Sequence, residues 1–174
     1  ICLRGTPTDT DLIDIEQNTD QHFDQELCQA ENQLKSMVSA TLFSQPLVSG
    51  VKLEQLSPAA LAYLGDAVYE LYIRCSYLFP PRRIQTYHQL VVSQVRAEAQ
   101  AEHLASLMPL LTQEELVWLK RGRNAATGRP KRVDPATYQQ ATSLEVLIGY
   151  LYITNPQRLV ALLTQLPGSL PANL

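Results

Sequence analysis

Cysteine is scarce in this chain, and the three that occur, Cys2, Cys28 and Cys75, are odd in number and widely scattered. They form neither a paired-cysteine metal spacing nor a disulfide framework, which points to a reducing compartment, the cytoplasm. His22, His88 and His103 are just as dispersed, with no His-x-x-x-His pair to hold zinc. Each is read as a surface residue or a histidine whose hydrogen bond is met. Long apolar runs are missing: Asp66, Glu70 and Glu145 interrupt the greasiest passages, well short of the roughly 18 apolar residues a membrane span needs. The first twenty residues lack the basic start and apolar core of a secretory signal, and their acids argue against an organelle transit peptide. No stretch alternates apolar and polar residues as a half-buried strand does, so the expected fold is all-α.

What is there suits one domain. The 174 residues, 45% hydrophobic and 18% charged, can bury a proper core but cannot build two large ones. The net charge of −3 conceals a division. Residues 1–50 hold Arg4 and Lys35 against eight acids, for −6, whereas residues 51–174 hold twelve basic residues against nine acids, for +3. A mildly basic domain with clustered cations permits a polyanionic partner.

Two regions follow from this. Residues 1–50 read as an acidic extension, with a tail at 1–20 and a possible amphipathic helix between Asp20 and Phe43. There Phe23, Leu27, Ala30, Leu34, Val38 and Leu42 step by threes and fours, and Gln17, Gln21, Gln25, Gln29 and Gln33 mark a polar side. A weakly ordered extension is the other reading. Residues 51–174 read as the main domain, entered through a linker at Ser44–Gly50.

Within that domain the helix starts are marked. Ser57–Pro58, Asp134–Pro135 and Asn155–Pro156 each place a capping side chain before a proline, and Thr112 precedes Glu114 and Glu115. The expected helices are Ala59 to Leu78, stopped by Pro80–Pro81, then His88–Leu107, Gln113–Lys120, Pro135 to Ile153, and Gln157–Gln165. The Ala59–Leu78 helix is apolar on nearly every side, which places it in the middle of the fold. Gly122 to Arg132 reads as a loop.

Two acids stand inside the two most apolar helices: Asp66 in LAYLGDAVYE and Glu145 in TSLEVLIGY. A buried carboxylate is costly unless an arginine, backbone donors or a metal meets it. Ala62, Gly65, Ala141 and Gly149 flank the two acids and would let their helices pack closely. Two hard oxygen ligands brought together suit Mg²⁺ or Mn²⁺. The alternative is that each acid pairs with an Arg or a Tyr hydroxyl and merely fixes the core. Glu70 has a simpler partner in Arg74, four residues on. The segment KRGRNAATGRPKR, Lys120 to Arg132, carries six basic residues, no acids and two glycines, a composition able to wrap phosphates. A solvated loop is its plainer reading, and Trp118 before it is read as a core anchor.

The blocks LAYLGDAVYELYIR, VRAEAQAE and LKRGRNAATGRPKRVDPATYQQATSLEVLIGYLY resemble those of Mini-ribonuclease III, the short branch of the ribonuclease III family without an appended double-stranded-RNA-binding domain. The resemblance spans about Leu56 to Leu166. It implies a helical nuclease domain that works as a homodimer, needs Mg²⁺ (with Mn²⁺ able to substitute) and no other cofactor, and cleaves double-stranded or structured RNA. Large-subunit ribosomal RNA precursor is the target it suggests. By position Asp66 matches the catalytic, metal-binding aspartate and Glu145 the metal-binding glutamate. Arg121, Arg123, Asn124 and Lys131 are the candidate RNA contacts. Full-length ribonucleases III carry two further acids, where this chain has Ala62 and Thr142. That departure sustains an alternative: a nuclease-like dimer that holds RNA or ribosome-assembly partners without cutting.

Overall fold

In the computed structural model, residues 29, 33, 53–126 and 133–166 are described. They form six helices: α1 (Pro58–Ser76), α2 (Ile84–Val95), α3 (Ala97–Leu107), α4 (Gln113–Ala125), α5 (Pro135–Thr154) and α6 (Pro156–Leu163), with 3-10 turns at Leu53–Gln55 and Met108–Leu110. No strand occurs among the described residues, as the lack of alternation predicts. No helix is long and apolar enough to cross a membrane among them.

The helix starts are capped as the sequence indicates. Ser57 Oγ accepts from Ala60 N–H at 3.1 Å, Asp134 Oδ2 from Ala136 and Thr137 N–H at 3.0 and 3.1 Å, and Asn155 Oδ1 from Arg158 N–H at 3.0 Å. Thr112 and Glu115 form a reciprocal capping box. Each cap meets backbone donors that a helix leaves open at its first turn, an effect of about 1 kcal/mol.

α5 is the centre of the molecule. Residues 141–144 and 146–151 are all buried, and α1, α3 and α4 pack around the helix. The expectation that Ala59–Leu78 would hold the middle is therefore corrected. α1 packs on α5 and buries Leu61, Val68, Tyr69, Tyr72 and Ile73, but leaves Tyr63 85% and Leu71 40% exposed. Its outer apolar face has no cover from the described residues.

Two further boundaries differ from expectation. The single helix expected over His88–Leu107 is two, because Arg96 adopts an extended conformation (φ −67°, ψ 154°) between α2 and α3. Neither proline nor glycine marks that break. It lets α3 turn and bury Ala99, His103, Leu104 and Leu107 while α2 buries only Val91. α4 runs on through Gly122 to Ala125, where the loop was expected to begin. Gly122 is tolerated because the helix meets α5 there: a Cβ on it would lie 2.8 Å from Ser143 Cα. His103 is buried with Nδ1 2.5 Å from the Tyr69 hydroxyl, so it is a core histidine with its bond met, and His88 is exposed. Gln29 and Gln33 are helical and exposed; the rest of residues 1–50, and with it the choice between an amphipathic helix and a weakly ordered extension, lies outside the described residues.

Candidate active site

The close approach of α1 and α5 builds the site. A Cβ on Gly65 would collide with the carbonyl oxygen of Glu145, and one on Gly149 with that of Leu61. Only glycine permits backbones this near, so the two residues lock the register of the helices. Asp66 follows Gly65 directly, and Glu145 is the residue whose backbone Gly65 touches. Two acids 79 positions apart in sequence thus become neighbours.

Asp66 and Glu145 line one open pocket of about 340 Å³ with Ala62, Tyr63, Tyr138, Thr142, Ala59 and the end of α4 at Ala125 and Ala126. Asp66 is exposed and Glu145 half-buried, so the expectation of two buried carboxylates holds only in part; partial desolvation, with Glu70's charge second, raises the Asp66 carboxyl above its usual range. Burial and then the charge of Asp66 push Glu145 up to about 7, against a smaller influence of the Gln100 amide that favours the charged form. No basic side chain among the described residues pairs with either acid. Glu70 bonds Arg74 instead, as its spacing suggests. Two oxygen-donor carboxylates that repel each other and lack a cation fit a divalent metal. They do not complete its shell, since no group of three or more His, Cys, Asp or Glu capable of holding a metal occurs among the described residues. Ala62 and Thr142, where the longer enzymes carry acids, line this same pocket.

The cationic candidates are not gathered here. On α4, Arg121 and Arg123 leave opposite flanks of buried Gly122. Arg121 lies over the Trp118 ring, 4.4 Å from its centroid, and Trp118 is itself buried and stacked on Tyr150 at 4.6 Å, the core anchor expected. Arg123 borders a larger cavity of about 490 Å³ between α3, α4 and α5, lined mostly by apolar residues and by no carboxylate. Asn124 is exposed on the last turn of α4, just before the residues that line the carboxylate pocket. Lys131 lies outside the described residues. Tyr138 was not singled out from sequence. Its position seven residues before Glu145, two helical turns on one face, was the available signal.

An all-helical domain with paired carboxylates across a glycine-tight helix seam is the build of a ribonuclease III-type nuclease, and the family model described as "Ribonuclease III domain" matches residues 59–156. The chain is similar to the Mini-ribonuclease 3 of Synechocystis sp., 57% identical over 120 residues, 68% of this chain and 84% of that one. The Mini-ribonuclease 3 of Thermosynechococcus vestitus is 54% identical over 114 residues, 66% and 76% of the two chains. A crystal structure of a Fusobacterium nucleatum protein superposes with a TM-score of 0.58 at 32% identity, covering 63% of this chain and 88% of that one. The chain belongs to the Mini-ribonuclease III branch of the ribonuclease III family, and its activity is that of a ribonuclease III-type endoribonuclease, an enzyme class that acts on RNA with divalent metals.

Proposed function

We propose that this endoribonuclease cuts double-stranded RNA as a homodimer, with Mg²⁺ held by Asp66 and Glu145, in the maturation of large-subunit ribosomal RNA precursor in the cytoplasm. The observation that carries the reading is the pair itself: two acids on separate helices, lining one pocket, with Glu145 raised by desolvation and by the charge of Asp66 and neither met by any described cation. When bound there, Mg²⁺ supplies a more acidic water and offsets the charge that develops on the phosphate. Asp66 and Glu145 orient it, and Ala62 and Thr142 leave room for water and RNA phosphate oxygens in the rest of the shell. The pocket is open, so a duplex backbone can reach it.

Arg121, Arg123, Asn124 and Lys131 are assigned as the RNA grip. Support comes from the exposure of the first three at the end of α4 and from the six cations of 120–132, which precede the helix bearing Glu145. A-form RNA offers mainly phosphates and 2′-hydroxyls, so sequence selectivity should be modest. The uncovered apolar side chains Tyr63 (85% exposed) and Ile84 (75%) on α1 and α2 favour the homodimer. Residues 1–50 are assigned as an extension dispensable for cleavage.

The reading is tested with purified protein, a long RNA duplex and a single-stranded control, with and without Mg²⁺. Metal-dependent cutting of the duplex is expected, lost in Asp66→Asn. The replacement of two family acids by Ala62 and Thr142 favours the second reading, a dimer that binds RNA without cutting. Binding with no cleavage at any Mg²⁺ or Mn²⁺ concentration would establish it.

A further inference from the structure

Trp118, the single tryptophan of the chain, is buried on α4 and makes two ring contacts at once. Its indole stacks on Tyr150 of α5, with centroids 4.6 Å apart and planes 20° apart. The Arg121 guanidinium lies over it, 4.4 Å from the ring centroid. The Tyr150 hydroxyl in turn donates to Glu114 Oε1 at 2.6 Å. Arg121 itself is exposed and makes no hydrogen bond or ion pair among the described residues. The two acids of α4 are engaged elsewhere, Glu114 by Tyr150 and Glu115 by Arg158. Core packing explains why a large ring fills this place between α4 and α5. It does not explain why an arginine rests on that ring with its charge unanswered.

We infer that Trp118, fixed by its stack on Tyr150, is a positioning residue that acts through Arg121, holding the guanidinium in place for one backbone phosphate of the RNA. This rests on the reading of Arg121 as an RNA contact. The chemistry favours a ring over a carboxylate as the support. A glutamate would hold Arg121 equally well, but it would neutralise the charge and compete with the phosphate. A guanidinium carries its donors around its rim, so an aromatic face beneath it leaves charge and donors for a ligand. A free arginine loses rotamer freedom when it grips a phosphate, and one already held on a ring loses less. The placement fits the same role. Arg121 precedes Ala125, which lines the carboxylate pocket, by four residues, about one helical turn or about 6 Å along α4. Tyr150 stands on the helix that bears Glu145, so the stack fixes the guanidinium relative to that acid. Arg123, on the other flank, borders the apolar cavity instead.

The experiment measures duplex affinity of the full chain in chelator across a salt series, alongside the RNA concentration for half-maximal cleavage in Mg²⁺. Arg121→Ala should flatten the salt dependence by roughly one unit of slope. Trp118→Leu keeps an apolar filling but removes the aromatic face. It should weaken affinity and raise the half-maximal RNA concentration about 2–5-fold, the scale of an exposed cation–π contact, with kcat largely recovered at saturating RNA. Trp118→Phe, which restores a face, should regain most of that loss. On an Arg121→Ala background, Trp118→Leu should have no additional effect on affinity. Unchanged affinity in folded Trp118→Leu, or an equal loss with and without Arg121, would leave Trp118 as a core anchor and overturn the inference. Should Trp118→Leu fail to fold, the wild type decides through the emission of its single indole. That emission responds to the charge beside the ring, so saturating duplex should shift it in the wild type and not in Arg121→Ala. A duplex that binds with no shift would overturn the inference as well. If Arg121→Ala itself leaves affinity and salt slope intact, the assignment of Arg121 fails first, and that result is distinct from a null effect at Trp118.

Discussion

Glu115 and Glu145 stand on neighbouring helices, α4 and α5, and both acids are carried into the packed part of the fold, but their surroundings treat them in opposite ways. Glu115 is met on all sides. Arg158 Nε and Nη2 donate to its two oxygens at 2.8 and 3.0 Å, and the Thr112 backbone N–H donates at 2.8 Å. The Arg158 bond, ahead of burial, holds its carboxyl below the usual range. Arg158 also donates to Leu110 O at 2.7 Å, tying α6 to the turn before α4. Glu145 has no described cation to meet it and shares its pocket with another acid, and it is pushed up to about 7. A carboxylate used as a brace is given its counter-charge within the chain. One used to hold a ligand is left wanting it.

The largest effect should come from removing the unmet charge. Asp66→Asn, nearly isosteric, should lower duplex cleavage by about three orders of magnitude, the scale of losing one preorganised electrostatic group, while circular dichroism and metal-free RNA binding stay as they were. Glu145→Gln should follow it, and full activity in either would break the contrast. The mirror experiment is Arg158→Ala, which strands buried Glu115. It should destabilise the protein by about 3 kcal/mol, measured by urea unfolding, and leave kcat per folded molecule alone. A catalytic defect in folded protein would mean the brace is part of the site.

A smaller effect sharpens the comparison through pH. The Glu145 carboxyl titrates near 7 in the folded chain and near 4.3 unfolded. Between those values the folded state therefore binds more protons, and stability falls as pH rises. In chelator, melting temperature should decline from about pH 4.5 to 7 on this account, less so in Glu145→Gln, and Mg²⁺ should offset the decline. Glu115 has the opposite sign: its contribution is present above its unfolded value and is lost only as pH falls through its lowered folded one. An equal pH slope in the wild type and Glu145→Gln would remove the distinction.

The smallest change in turnover is expected from the basic side chains. Arg121, Arg123 and Lys131 all replaced by Ala should weaken duplex binding and flatten its salt dependence by roughly one unit of slope per lost contact. kcat at saturating RNA should change little. Arg121 also lies on Trp118, so its single replacement should carry a modest stability loss that Arg123→Ala lacks.

Much of this was legible before any coordinates. Ser57, Thr112, Asp134 and Asn155 announced four helices because capping is a local interaction, complete within one turn of chain. Asp66 and Glu145 stood out because an acid in an apolar helix demands an explanation. The break at Arg96 was hidden, since the extended residue is neither Gly nor Pro and the turn is imposed by what α3 packs against. The buried bond from Gln100 to Val95 O was unreadable for the same reason, since it exists only because the chain turns at Arg96. Arg121 and Arg123 looked like one cluster in sequence, but the helix runs through them and sends them to opposite flanks.

By itself, then, the order of residues determined the helical class, the helix starts, the two acids worth suspecting and the glycines that mark where two helices can approach. Those follow from caps, periodicity and the cost of burying charge, all of which act within a few residues. Tertiary structure alone decided that α5 and not α1 is the centre, that Gly65 meets the Glu145 backbone so the acids share a pocket, and that buried Glu115 received an arginine while half-buried Glu145 received no described cation. Pairing between residues far apart in sequence depends on which helix faces meet, and no local interaction specifies that.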